Sequence, residues 1–266
     1  MRHVVPILLV CVLGVAFGGA SPAAQPVTIR IAGSTTLLPL VRDAAAAYSA
    51  THPEVAFVVS GGGSRAGLDR LRDSSVDVAM TDSAPPADSG LVDQTVAALT
   101  LAIIANPDAG IAKLTTPQIR DIFGGAVTNW KAVGGSDRPI ALVDRSPGLL
   151  VHTIFTHAFM DKTAVTKTVR YADSSQAALT QVSSTPGAVS YVVTRGLALA
   201  SVVPIAIDGT APSDANTMAG TYHFWTYEHF VTARAPTLDV SRFFAFLETQ
   251  RALLHKHGFI AVEDIK

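Results

Sequence analysis

"EVAFVVSGGGSRAGLDRLRDSSVDVAM" occupies residues 54–80. It opens with an apolar run from Glu54 to Val59 that reads as a strand. Three glycines, a serine and an arginine follow, and from about Arg65 to Arg72 the pattern turns helical. Val76 to Met80 is a second short apolar run. Upstream, Val27 to Ala32 reads as a strand and Val41 to Ala50 as an alanine-rich helix. Strand, helix, strand, helix, strand is the signature of an α/β fold with a parallel sheet and crossover helices. In such a sheet ligands sit beyond the carboxyl ends of the strands. The three loops that leave those ends carry Ser34, Thr35 and Thr36, then Ser64 and Arg65, then Thr81, Asp82 and Ser83.

A second α/β unit follows. Leu99 to Ala105 is a strand, and "LTTPQIRDIF" is a helix capped by Thr116 with Pro117 in its first turn. "PIALVD" is a strand, "SPGLLVHTIFTHAFM" a helix opened by Ser146 and Pro147, and Ala188 to Val193 another strand. "IDGTAPSDANTMAGTY" is loop-rich, "YHFWTYEHFVTA" reads as a strand of aromatics, and two helical segments come last. No short-period repeat breaks this plan.

The composition bounds the function. The 266 residues are 48% hydrophobic and 15% charged, with a formal net charge of -1. That balance excludes a disordered chain and a basic nucleic-acid-binding face. The single cysteine, Cys11, excludes a cysteine zinc site. It falls in "MRHVVPILLVCVLGVAFGGASPAAQ", where a basic start at Arg2 precedes an apolar run from Val4 to Phe17 and then small residues. This predicts a secretory signal peptide over residues 1–20, cleaved after Ala20, and a mature chain free of cysteine. Lipid attachment at Cys11 fits less well, because Val10 stands where a small residue is needed. His152 and His157 are five apart, off the spacing of a helical metal site. Gly62, Ser64 and Ala66 miss the nucleophile-elbow pattern by its last glycine. No catalytic residue and no cofactor is expected.

Hydroxyls, helix-start N–H groups, an arginine and one aspartate together suit an oxyanion. Hydroxyls and N–H groups donate to it, and an arginine fork makes a paired contact. A carboxylate only accepts, so it tolerates an oxyanion that still carries a proton. Each residue also has a plain structural reading. Thr35 and Thr36 suit a helix cap, the glycines a turn, Asp82 a turn, and Arg145 a surface ion pair with Asp144 or Asp137.

"AGSTTLLPL", "GGGSRAGL", "VDVAMTDSAP", "LTTPQIRDIFGGAVTNW", "DRSPG", "GAVSYV" and "IDGTAPSDANTMAGTYHFW" occur in order along the chain. In this the sequence resembles the phosphate-binding (PstS-type) substrate-binding proteins of ABC importers. The resemblance implies a two-domain periplasmic-binding-protein type II fold, each domain a mostly parallel sheet flanked by helices, with the ligand cleft between. It implies domain I over 26–105 plus 209–266 and domain II over 106–208. It implies phosphate or a related oxyanion as ligand, an inner-membrane ABC permease as partner, a monomer, and a periplasmic location. Carried over by position, the ligand-binding residues are Thr35, Thr36, Ser64, Asp82 and Arg145, with Ser34 and Arg65 beside them. After the arginine the family pattern has Ser-Gly-Thr, and this chain has Leu149, Leu150 and Val151. Two hydroxyl donors to a charged ligand, worth ~1.5–3 kcal/mol each, are thereby absent. A sensor or interaction protein with a degenerate anion site is the alternative that this substitution supports.

Overall fold

The computed structural model describes residues 26–147, 149–195, 197 and 201–266. The expected signal peptide lies outside them.

The amino-terminal half alternates strand and helix as its sequence dictates. β1 (Val27–Gly33), β2 (Val55–Ser60) and β3 (Val78–Thr81) are parallel, with β1 in the middle. The crossovers are α1 (Leu38–Thr51) and α2 (Ser64–Arg72). Leu40, Val41, Ala44, Ala45 and Tyr48 form the buried stripe of α1, at the spacing of one helix face. The turn into α2 needs backbone that only glycine adopts readily. Gly62 and Gly63 have φ of 128° and 90°. The Gly63 N–H donates to the Gly33 carbonyl at 2.9 Å, so the glycine run is a turn that seats Ser64 at the start of α2.

β4 (Val92–Ala105) is twice as long as the strand expected at Leu99–Ala105. Its first half pairs antiparallel with β11 (Trp225–Thr232), and its second half pairs with β8 (Ala188–Val193) and β9 (Val203–Pro204). β6 (Ala141–Arg145) and β7 (Arg170–Ala172) complete the strand order β2-β1-β3-β11-β4-β8-β6-β7, while β5 (Lys113–Leu114) and β10 (Ala206–Ile207) pair as a small separate sheet. α3 (Thr116–Gly124), α4 (Leu150–Phe155) and α5 (Ser175–Ser184) belong to this second half, and α6 (Asp214–Met218) precedes β11. α7 (Leu238–Thr249) returns to pack on α1.

The two largest apolar cores among the described residues divide inside β4. Leu99 packs with Ile31, Leu40, Phe230 and Phe243 in the first core. Leu101 packs with Ile119, Phe155, Tyr191 and Phe224 in the second. The sequence expectation puts the boundaries at 105/106 and 208/209; the packing changes sides between Leu99 and Leu101, and Tyr222 and Phe224 pack in the second core. Packing places the crossings at Thr100 and Trp225, which pair with each other.

Two helix starts also differ from expectation. Thr115, not Thr116, caps α3; its hydroxyl accepts from the Gln118 N–H while the Gln118 side chain accepts from the Thr115 N–H. α4 begins at Leu150 with no side-chain cap, and Ser146 instead donates its hydroxyl to Asp173.

Candidate functional site

The carboxyl ends of the parallel strands in both cores face one cavity of about 430 Å3. β1 and β3 deliver Thr35, Thr36 and Asp82 to its wall from the first core. β6 and β7 deliver Arg145 and the Asp173–Gln176 loop from the second.

The first-core side is built around a serine pair. Ser34 is fully buried. Its hydroxyl accepts from the N–H groups of Thr36 and Leu37, at 3.1 and 3.3 Å, and donates to Asp82 Oδ1. Ser34, and not either threonine, thus satisfies two N–H groups of the turn that leads into α1. Thr35 is exposed and Thr36 half-buried at the cavity wall, with neither hydroxyl used in a cap. Ser64 Oγ donates to Asp82 Oδ2 at 2.8 Å and accepts from the Asp82 N–H at 3.2 Å. Each carboxylate oxygen of Asp82 accepts one serine hydroxyl and keeps capacity for another donor. Ser34 and Ser64 therefore position Asp82, while Asp82 itself faces the cavity.

The second-core side is built around Arg145, only 4% exposed. Its Nε donates to the Ala172 carbonyl at 2.9 Å. Its Nη1 reaches Ser175 Oγ at 3.4 Å and the Tyr191 carbonyl at 3.5 Å. The expected alternative, a surface pair with Asp144 or Asp137, does not form. Asp137 pairs with Lys131 at 3.0 Å. Asp144 accepts the Arg145 backbone N–H at 2.8 Å and the Tyr191 hydroxyl at 2.6 Å. Among the described residues the Arg145 guanidinium has no ion-pair partner. Burial pulls its pKa down from the ordinary arginine value, but a guanidinium stays charged in any protein setting. The result is a desolvated cation at a cavity wall, which attracts an anion.

Arg65 is exposed and lies off the cavity. The glycines of residues 61–63 do not line it either. The apolar substitution after Arg145 is visible in the wall, because Leu149 and Val151 both face the cavity, with Ile154 one helical turn further. The N–H of Leu149 is turned to the Ser146 carbonyl at 3.0 Å.

Sequence reasoning missed Arg195, Asp173, Thr226 and Glu228, all at the wall. Arg195 follows β8, and its Nη1 reaches the His257 carbonyl at 3.3 Å. Glu228 sits on β11, inside the aromatic run that reads as packing. A lone acid in a run of aromatics, "WTYEHF", was the available signal. A carboxyl amid such neighbours is buried on its own strand or faces a polar cavity.

Residues 19–248 match the family model of the PBP superfamily domain. The phosphate-binding protein PstS of Bacillus subtilis (strain 168) is 30% identical over 247 residues, spanning 90% of this chain and 82% of that protein. Among solved structures, an ABC-type phosphate transport receptor from Vibrio cholerae superposes with a TM-score of 0.74 at 28% identity, over 88% of this chain and 99% of the other. A Clostridium perfringens protein solved with bound phosphate shares the fold, with a TM-score of 0.78 at 24% identity over the same shares of the two chains. With the type II fold and the inter-core cleft on the same residues, the chain belongs to the PBP superfamily and, within it, to the family of the phosphate-binding protein PstS.

Proposed function

We propose that this protein is an exported substrate-binding protein that takes up phosphate, or an oxyanion of the same shape and protonation, in the cleft between its two cores. It hands the anion to an ABC permease in the inner membrane. It works as a periplasmic monomer without a cofactor, it has no nucleic-acid partner, and it catalyses no reaction. The observation that carries this reading is Arg145, a buried guanidinium without an ion-pair partner among the described residues, across the cavity wall from Thr35 and Thr36.

In this reading Arg145 supplies the positive charge and a planar donor edge. Thr35 and Thr36 donate hydroxyl hydrogen bonds from the other core. Asp82 accepts the proton that hydrogen phosphate still carries. A fully deprotonated tetrahedral anion such as sulfate offers Asp82 nothing to accept and meets its charge, so it is rejected. Ser34 and Ser64 hold Asp82 in that role, and Arg65 has none.

The apolar wall of Leu149, Val151 and Ile154 favours a second reading, a sensor or interaction protein on the same fold whose anion site has weakened. One experiment separates the two. Ligand-stripped protein without residues 1–20 is titrated calorimetrically with phosphate near pH 8, with sulfate and molybdate as competitors. Micromolar or tighter phosphate binding, unaffected by sulfate and lost in Asp82→Asn, is expected. A cooperatively melting protein that gives no heat with any oxyanion would leave only the second reading.

A further inference from the structure

Glu228 is 1% exposed, and its Oε2 is buried without a hydrogen-bond partner. The residue lies on β11 between β3 and β4 and lines the same cavity as Asp82 and Arg145. A β-bulge sits beside it. Glu228 pairs with Ala97 and His229 with Thr95, so the register shifts by one residue between them. Bulges of this kind re-aim side chains next to binding sites. His229 meanwhile bonds Asp93 at 3.0 Å, so the two neighbours on β11 serve different surroundings.

A buried carboxyl oxygen without a partner is uncommon in a native protein, because leaving it unsatisfied costs free energy. A structural glutamate would bond a backbone amide or pair with a cation. Glu228 does neither among the described residues, and it faces the cleft. Ionised, it would place a second negative charge beside Asp82 in a site for anions. Burial first, then the neighbouring Asp82 charge and a side-chain hydrogen bond with Asp82, push its pKa well above the usual carboxyl range, against a smaller opposing pull from Arg195. A neutral carboxyl is a donor as well as an acceptor.

We propose that Glu228 is a further ligand-binding residue whose carboxyl O–H, facing Asp82 in the ligand-free protein, donates to the oxyanion when it enters the cleft. The proposal rests on the oxyanion reading of the same site. It supplies one of the donors that the Leu149 to Val151 stretch lacks, from a position three residues past the last of the motifs that mark the family. The charged groups at the cavity wall are Asp82 after β3, Arg145 at the end of β6, Asp173 after β7 and Arg195 after β8. The two arginines favour ionisation of Glu228 and the two aspartates oppose it. Once Glu228 ionises, the donor is lost and a repulsive charge takes its place, so binding acquires an alkaline limit.

The test measures phosphate affinity from pH 6 to pH 10 for wild type, Glu228→Leu and Glu228→Gln, each checked for a cooperative melt. Phosphate's own titration is common to all three, so the ratio of affinities at each pH is the readout. Glu228→Leu is expected to bind roughly ten-fold or more weakly than wild type at neutral pH. Glu228→Gln, which keeps an N–H donor and cannot ionise, should recover most of that loss. It should also remove the alkaline decline, so that its ratio to wild type rises with pH. Wild-type affinity in Glu228→Leu, or a Glu228→Gln ratio constant with pH, overturns this inference while leaving the phosphate reading intact. Absence of wild-type binding at every pH overturns both.

Discussion

At the scale of single residues the cleft is a set of groups whose ordinary partners are missing or supplied in an unusual way. Arg145 is buried among carbonyls and a hydroxyl. Replacing it with alanine should cost two charge-assisted bonds to the ligand, or ~3–6 kcal/mol, and hence at least about 100-fold in phosphate affinity. Arg145→Lys should recover little, because an ammonium has no planar fork and would leave the Ala172 carbonyl unpaired. Calorimetric affinities within ten-fold of wild type for either variant would rule out Arg145 as the main anion anchor. Glu228 makes a separate prediction in the ligand-free protein. Its folded pKa is raised relative to the unfolded chain. Its contribution to stability is therefore fully present below the unfolded carboxyl pKa and is lost as pH rises through the folded one. Glu228→Gln should melt like wild type in acid and above it at neutral to alkaline pH. A Tm difference that does not change with pH would contradict a neutral Glu228. Neither residue was equally legible in the sequence. Arg145 stands in "DRSPG", a recognisable motif. Glu228 stands among aromatics, and its raised pKa depends in part on Asp82, which lies 146 residues earlier in the chain and which no local pattern connects to it.

At the scale of elements, the sequence carries what is local and loses what is not. β1, α1, β2, α2 and β3 follow directly from apolar periodicity and from glycine placement. The first half of β4, "VDQTVAAL", lacks a run of large apolar residues. Its strand state comes from pairing with β11, a partner more than 120 residues away, so the expectation began only at Leu99. The helix starts show the same limit. In "LTTPQ" either threonine satisfies the capping pattern, and only the reciprocal bond to Gln118 decides for Thr115. The glycines can be sorted by what surrounds them. Gly33 ends β1 with φ of 140°, and a Cβ there would stand 2.1 Å from the Met80 carbonyl oxygen. Gly63 has φ of 90° and open space around it. Gly33→Ala should cost about 2–4 kcal/mol, combining backbone strain with a clash that must move β3. Gly63→Ala should cost about 1–2 kcal/mol, from its positive φ alone. Urea midpoints measured on both variants check the order. Equal losses would mean that the β1–β3 contact is looser than its geometry indicates. Because β3 leads directly into Asp82, Gly33→Ala should also weaken phosphate binding, whereas Gly63→Ala reaches the site only through Ser64.

At the scale of the whole molecule, function depends on where the two cores divide. Thr35, Thr36 and Asp82 ride on the first core, and Arg145 and the Asp173–Gln176 loop ride on the second. Few chain segments connect them, chiefly β4 at Thr100 and the return at Trp225. The sequence could not show this, because the first crossing lies inside the continuous strand β4 and the second at the start of β11, neither of them in a linker rich in glycine or proline. Glu228 lies three residues past the second crossing, on the strand that carries it. An anion that contacts both cores is bound more tightly when they approach, and by that differential affinity it shifts the population toward a closed form. A permease can then distinguish loaded from empty protein by shape. The expectation is that saturating phosphate lowers the radius of gyration in solution scattering and raises the Tm. At 100 times Kd the linkage is worth about 2.7 kcal/mol. Arg145→Ala separates binding from closure. With the second-core anchor gone, phosphate driven on at high concentration still meets Thr35, Thr36 and Asp82, but it no longer ties the cores together. Scattering from that variant at saturation should match its ligand-free curve. If the variant compacts as fully as wild type, closure is driven from one core alone, and Arg145 contributes affinity without coupling it to shape.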